Sequence, residues 1–429
     1  MLNRLIPHLL RLRVRFPRLY GHIVAIGKRL LGKRLGVYPI PMAGEVAAVT
    51  AVLRGSRWNM TAGGSLAHES LEAAFAEYVG TSHAIAVNTG GVALQMSMRA
   101  LGLKHGDEVI HQVDTCSASA LAVMAAGCTP IFSDIDIDTL MLDVTAVEKE
   151  IGLCTKALLA THMWGNPENM QTLCSLAERK GLHVIEDACL SLGTTLGNRM
   201  AGSFGRVGVF SFGCIKPIQG GEGGMIVTND ESLARELRSM RHWGDRTLEF
   251  GSRDTILPCW NGRMSEIVAA VVEEQLKGYP HHLATLRSSV ADFQSFLTRI
   301  DGLELVLGHA ESTEQCAYTQ VVLRIDERKL GCKKAEFKDA LFSRGVPVWH
   351  ANFEPITSLS LFRERTWEDW LPKCDLARTR SNYHGTYPVA QALMESGGIG
   401  LGKMNFLSRQ NLHYMKTQIE TLVRRGVRP

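Results

Sequence analysis

The chain has 429 residues, 45% of them apolar and 21% charged, with a formal net charge of +4. That length exceeds what one hydrophobic core organises, and the balance is that of a globular protein, which excludes disordered and fibrous classes. Residues 1–36 hold nine Lys or Arg and no acid, so the remainder carries −5 and has no electrostatic reason to bind nucleic acid.

In chain order, residues 1–36 interleave Leu, Ile and Val with Arg and read as a basic amphipathic helix. Such a helix suits peripheral contact with an anionic membrane surface, or packing as an accessory arm. Arginines interrupt the apolar stretch that a secretory signal needs, and no apolar run approaches the ~20 residues that span a bilayer. Ten cysteines run from Cys116 to Cys374 without a CxxC pair or a compact Cys/His cluster. Neither a metal site nor a disulfide framework is signalled, and the expected compartment is a reducing cytoplasm.

From Val79 to Asp230 short apolar runs alternate with helix-length segments: 84–88, 107–112, 129–135, 155–163, 182–188, 207–212 and 224–229. Strands without strict polar alternation, joined by helix-length connections, predict an α/β domain over residues 37–280 with a mostly parallel sheet covered by helices. Helices are expected at 91–102 and at 167–181, the second closed by a Gly C-cap. Residues 281–429 read as a smaller α+β domain: a helix near 281–300, the strand QVVLRID (320–326), a helix at 333–344, a Trp/Pro-containing loop region and a helix at 407–425.

Ligands of such sheets sit beyond the strand ends, and three strand ends carry useful polar residues. Asn88-Thr89-Gly90-Gly91 opens a helix, where exposed backbone N–H groups suit a phosphate or simply make a tight turn. Asp187 closes LHVIED at a buried strand end and needs a partner: a protonated pyridine nitrogen, a helix terminus or an ion pair. Ser211 and Lys216 lie in FSFGCIK, ahead of the glycine-rich Gly220–Gly224 loop. A desolvated lysine there is a candidate Schiff-base nucleophile, and an exposed one is only a surface residue.

The joint order of these blocks resembles the DegT/StrS family of pyridoxal-phosphate (PLP) dependent sugar aminotransferases, which have the aspartate aminotransferase fold (fold type I). The resemblance runs over about residues 38–280, from YPIP (38–41) through LEAAFAEYVGTSHAIAVNTGGVAL (71–94), GDEVI (106–110) and GCTPIFSDIDIDTLMLD (127–143). It continues through H-x-W-G (162–165), VIEDAC (184–189), GVFSFGCIKPIQGGEGG (208–224) and WNGRMSEIVAAVVEEQL (260–276). It implies that Lys216 forms the internal aldimine and moves the proton, that Asp187 pairs with the pyridine nitrogen, and that Gly90, Gly91 and Ser211 hold the phosphate. Asn261 would reach the phosphate of a partner subunit, placing shared active sites at a homodimer interface. The related sugar dehydratases look similar but have histidine in place of the lysine, so Lys216 favours transamination.

Four positions depart from the family pattern. Cys116 stands where an aromatic ring usually stacks on the cofactor, and Leu190 where Gln or His contacts its ring hydroxyl. Gln219-Gly220 replaces the usual Thr before GEGG, and Pro217 follows the lysine. The implied reaction moves an amino group from glutamate or glutamine to a keto-sugar, nucleotide-linked, or to a keto-cyclitol. Two readings stand beside it: a different PLP-dependent reaction on a sugar, and a non-catalytic scaffold relative. His281-His282 reads as a solvated helix start, and Trp349, Trp367 and Trp370 as packing or a substrate lip.

Overall fold

The computed structural model describes residues 44–56, 58–60, 67–245, 255, 259–351, 354–369 and 376–425. The basic segment 1–36, YPIP, Trp370 and Cys374 lie outside the described residues.

All seven strands expected between Val79 and Asp230 form one sheet. They are β1 (His83–Val87), β2 (Glu108–Gln112), β3 (Thr129–Ser133), β4 (Thr155–Thr161), β5 (His183–Asp187), β8 (Val207–Ser211) and β9 (Gly224–Thr228). The small hairpin β6 (Thr195–Leu196) and β7 (Arg199–Met200) precedes β8. Strand order is β1-β9-β8-β5-β4-β2-β3, with β8 through β3 parallel and β9 antiparallel to both its neighbours. The reversal of β9 follows from its connection: residues 212–223 contain no crossover helix, so β9 folds back on β8 as a hairpin with Ser211 opposite Gly224.

Helices cover both faces, and the period of two along each strand sorts the core. On β1, Ala84 and Ala86 join Phe75, Phe210, Leu276 and Tyr279 on one face. Ile85 and Val87 join Leu94, Val109, Ile185 and Leu237 on the other. The first face is covered by α1 (Ala67–Val79), the second by α2 (Gly90–Ala100) and α5 (Glu231–Arg241), with α3 (Ser117–Ala125) and α4 (Met170–Lys180) over the β2–β5 half. α4 ends at Gly181 in the left-handed region (φ 66°), its amide donating to Ala177, which is the glycine cap read from the sequence.

The helix expected near 281 begins far earlier. α6 (Glu266–Leu297) runs 32 residues through Pro280, which removes one amide from its ladder. Burial on both flanks outweighs that loss: Ala269, Val272, Leu276, Tyr279 and Leu283 sit in the large-sheet core, while Leu286, Val290, Phe293 and Leu297 sit in a second core. His281 and His282 are therefore mid-helix residues rather than a helix start.

The second core backs an antiparallel sheet of order β10-β11-β13-β12: Leu303–Val306, Gln320–Ile325, Ile399–Gly402 and Val348–His350. It is flanked by α7 (Lys334–Ser343) and α8 (Arg409–Arg425). Trp349 lies across Gly400 and Gly402, and a Cβ on Gly402 would come within 2.9 Å of the indole ring. Trp367 is fully buried packing. The segment around Trp367 and Tyr383 turns back to close the β3 edge: Asn382 pairs with both backbone groups of Phe132 at 2.9 Å, and the Tyr383 hydroxyl donates to Pro130 at 2.8 Å.

Candidate active site

The site forms where β1, β5 and β8 end on the same edge of the large sheet. β1 delivers Thr89, whose extended backbone and hydroxyl cap α2 by accepting from the Val92 amide at 3.1 Å. Gly90 and Gly91 then present the first amides of that helix. Gly90 is required by close approach, because a Cβ there would fall 2.8 Å from Ser211 Cβ and 3.2 Å from Cys189 Sγ. Gly224 is constrained from the other side, with Thr89 and the Gly90 nitrogen at 2.5–2.8 Å from its would-be Cβ. The Ser211 hydroxyl, which accepts from the Gly213 amide at 3.4 Å, thus converges with a helix N-terminus, an arrangement that suits a phosphate.

Asp187 closes β5 and is buried. Its Oδ2 accepts from Ser119 Oγ at 3.0 Å and its Oδ1 from the Cys189 amide at 3.2 Å, so the carboxylate is fixed from two directions. Burial, with the Asp187 carboxylate beside it, pushes the Cys189 thiol well above its usual pKa, while Lys216 pulls the other way. Asp187 and Lys216 both act electrostatically on the Cys189 thiol and Cys116 lies near it, so the four share one neighbourhood. The buried carboxylate is thus hydrogen bonded by Ser119 and the Cys189 amide.

Lys216 is half-buried in the loop at the β8–β9 hairpin tip. Two backbone bonds bracket that loop, Gly220 N–H to Phe212 O and Phe212 N–H to Gly223 O, both at 2.9 Å. Cys116 is exposed at the start of α3, one helical turn before Ser119 on the same face, so it borders the Asp187 pocket. Leu190 packs against the apolar cluster of Val113, Met163 and Trp164. Asn261 is exposed; its Oδ1 accepts from the Arg263 amide at 3.1 Å, and its carbonyl accepts from Asn88 Nδ2 at 3.4 Å beside the Gly90 turn. Gly90, Gly91, Asp187, Ser211 and Lys216 gather at this edge, with Cys116 at its border and Asn261 beside the Gly90 turn, whereas Leu190 is packed in the apolar cluster.

Several contributors were not read from the sequence. Ser119 looked like one serine among several in SASA; only the register of α3 against β5 makes it the Asp187 partner. Glu186 was passed over beside Asp187, yet it points to the opposite face and accepts from the amides of Gly202 (2.7 Å), Phe204 (2.6 Å) and Gly205 (2.6 Å). His162 of the H-x-W-G motif completes that set at 3.1 Å. Because the Glu168 amide donates to His162 Nδ1 at 3.0 Å, the ring presents its N–H to Glu186 from Nε2. The histidine also ties β4 to β5, its amide donating to the Asp187 carbonyl at 3.1 Å.

The sequence profile of the DegT/DnrJ/EryC1/StrS aminotransferase family matches residues 41–392. The chain belongs to that family. It is thus a PLP-dependent aminotransferase by membership. Its similarity to the spore coat polysaccharide biosynthesis protein SpsC of Bacillus subtilis (strain 168) is 33% identity over 314 residues, covering 71% of this chain and 79% of that protein. An aminotransferase from Psychrobacter cryohalolentis superimposes with a TM-score of 0.78 at 25% identity, over 91% of this chain and 99% of the other. DesV of S. venezuelae, solved with a ketimine intermediate, gives 0.72 at 30% identity, over 88% and 94%. No helix among the described residues is long and apolar enough to cross a membrane.

Proposed function

We propose that the protein transfers an amino group from glutamate or glutamine to a keto-sugar, nucleotide-linked, or to a keto-cyclitol, with PLP held by Lys216. The observation that carries this reading is the convergence of Lys216, Asp187 and Ser211 at the Gly90–Gly91 helix terminus. The cradle fits the cofactor, since a Cβ on Gly90 would fill the space beside Ser211 and Cys189 at the N-terminus of α2. When bound, PLP supplies an electron sink for charge developing at the donor α-carbon.

The residues divide the work. Gly90 and Gly91 amides and the Ser211 hydroxyl would bind the phosphate. Asp187, oriented by Ser119 and the Cys189 amide, would hold the proton on the pyridine nitrogen. Lys216 Nζ would attach the cofactor and carry the proton to and from the substrate carbon in both half-reactions. By the family resemblance, Cys116 takes the place of a stacking ring and Leu190 that of a polar contact, so the cofactor ring would lose those two contacts. Asn261 is exposed and, by the family resemblance, would reach a second copy's phosphate site in a homodimer. A cytoplasmic setting and peripheral membrane contact through residues 1–36 are expectations from the sequence alone.

Two readings compete. Cys116 and Leu190 favour a different PLP reaction or a scaffold relative; the Lys216–Asp187 neighbourhood opposes the scaffold, because a relative freed from chemistry need not keep a buried carboxylate. Borohydride reduction of the PLP-loaded protein followed by peptide mass analysis tests the proposal. The cofactor is expected on the Lys216 peptide. Recovery on another lysine, or on none, contradicts it.

A further inference from the structure

Lys403 follows β13 directly and is 9% exposed. Its Nζ donates to the carbonyl oxygens of Ile215 at 3.2 Å and Lys216 at 3.0 Å. A buried ammonium is costly unless its donors are used, and two of these go to the one turn that carries the cofactor lysine. That turn is strained: Ile215, a β-branched residue, has φ 65°, a region that L residues other than Asn or Asp rarely enter. Its side chain is 65% exposed, so side-chain packing does not impose the conformation. Backbone bonding inside the turn is weak, the Lys216 amide reaching Gly213 O at 3.4 Å. Strain of this kind persists only where surroundings over-determine it.

We propose that Lys403 is a positioning residue that clamps the Ile215 and Lys216 carbonyls, fixing the direction of the Lys216 side chain and coupling the four-stranded sheet to the cofactor turn. Burial first, and then the Lys216 charge, bring the Lys403 pKa down to about 7. The clamp does not depend on that titration, because a neutral amine keeps two N–H donors for two carbonyls. Pro217, next in the chain, lines a cavity of about 30 Å³ together with Tyr279, Tyr318 and Lys403. The catalytic meaning of the clamp rests on Lys216 being the cofactor lysine; the clamp itself does not.

The test uses the full chain with Lys403→Met, which keeps length but removes the donors, and Lys403→Arg, which keeps donors. In the Met variant the circular dichroism of the bound-cofactor band, normalised to its absorbance, should fall severalfold. Turnover should drop about 10- to 100-fold, the scale of an ångström-level misplacement. In crystals of the cofactor-free Met variant Ile215 should leave the positive-φ region. The Arg variant should retain most of both solution signals. Should Lys403→Met not fold, Lys403→Gln, with one shorter donor arm, serves in its place and should show the same losses in smaller measure. Wild-type dichroism and turnover in the Met variant, or Ile215 unchanged in its crystals, would overturn the clamp. If wild-type protein takes up no PLP at Lys216, the functional reading fails instead, and the cofactor-free crystals still decide on the clamp.

Discussion

The two sheets supply the site in different ways. The seven-stranded sheet gives it a series of strand ends, Val87–Gly90, Asp187 and Ser211, each continuous with a buried apolar run, with Ser119 on Asp187 and the Gly213 amide on Ser211. The four-stranded sheet gives the cofactor turn a single side chain, Lys403, reaching back across 187 residues of sequence to the Lys216 carbonyl. Chemistry built at strand ends is marked by its position along the chain; a support delivered from beyond the other sheet is not. Substitutions that separate reactivity from stability should therefore sort by region.

The largest effect is expected at Lys216. Lys216→Ala removes the attaching amine and proton carrier, and turnover should fall by at least the ~10²–10⁴-fold typical of a lost general acid–base, with melting temperature near wild type. Next is Asp187→Asn, which exchanges a charge-assisted partner for a neutral one. It should lower turnover about 10- to 100-fold, while equilibrium dialysis shows PLP retained. A wild-type rate in that variant would mean that the pyridine nitrogen has a different partner.

One residue earlier on β5, the effect should invert. Glu186→Gln faces the Gly202, Phe204 and Gly205 amides and His162 with a neutral amide, and should cost about 3 kcal/mol in denaturant unfolding, because those donors lose a buried charge. Its turnover per folded molecule should stay close to wild type. Equal losses of rate and stability at Asp187 and Glu186 would erase the distinction between the two faces of β5. Ser119→Ala should be milder, about tenfold or less in turnover, since one neutral hydrogen bond to Asp187 is lost.

The remaining effect concerns pH and stability rather than turnover. Burial holds His111 on β2 neutral, its pKa lowered from 6.5 to about 4. The folded chain therefore binds fewer protons than the unfolded one between those values, and stability falls as pH drops from 6.5 towards 4. Burial raises Glu168 from 4.5 to about 8, so it contributes a loss of stability as pH rises through that window. Unfolding titrations of His111→Asn should show a flatter acid limb, and those of Glu168→Gln a flatter neutral one.

Legibility in the sequence follows the same division. The seven strands were readable because buried parallel strands are continuous apolar runs bounded by turn signals, and the lysine loop because glycines surround it. The sense of β9 was not, since periodicity carries no direction; it is set by the absence of a helix between Ser211 and Gly224. In the second sheet QVVLRI was readable, but IGLG was not: its glycines make room for Trp349, and composition alone reads them as loop. The start of α6 was hidden by Pro280, which argues for a boundary wherever burial does not overrule it. Among the site residues, Asp187, Ser211 and Lys216 stood out by position at strand ends, whereas Ser119 and Lys403 acquire their roles only from tertiary contact.

The central claim is most directly tested by the absorption spectrum of PLP-loaded wild-type protein and of Lys216→Ala, before and after excess L-glutamate or L-glutamine. The account predicts a visible band in the wild type that an amino donor converts to a near-ultraviolet one, and neither the band nor its conversion in the variant. A wild-type band that no amino donor converts would contradict transamination, and an identical band in Lys216→Ala would contradict the assignment of the lysine.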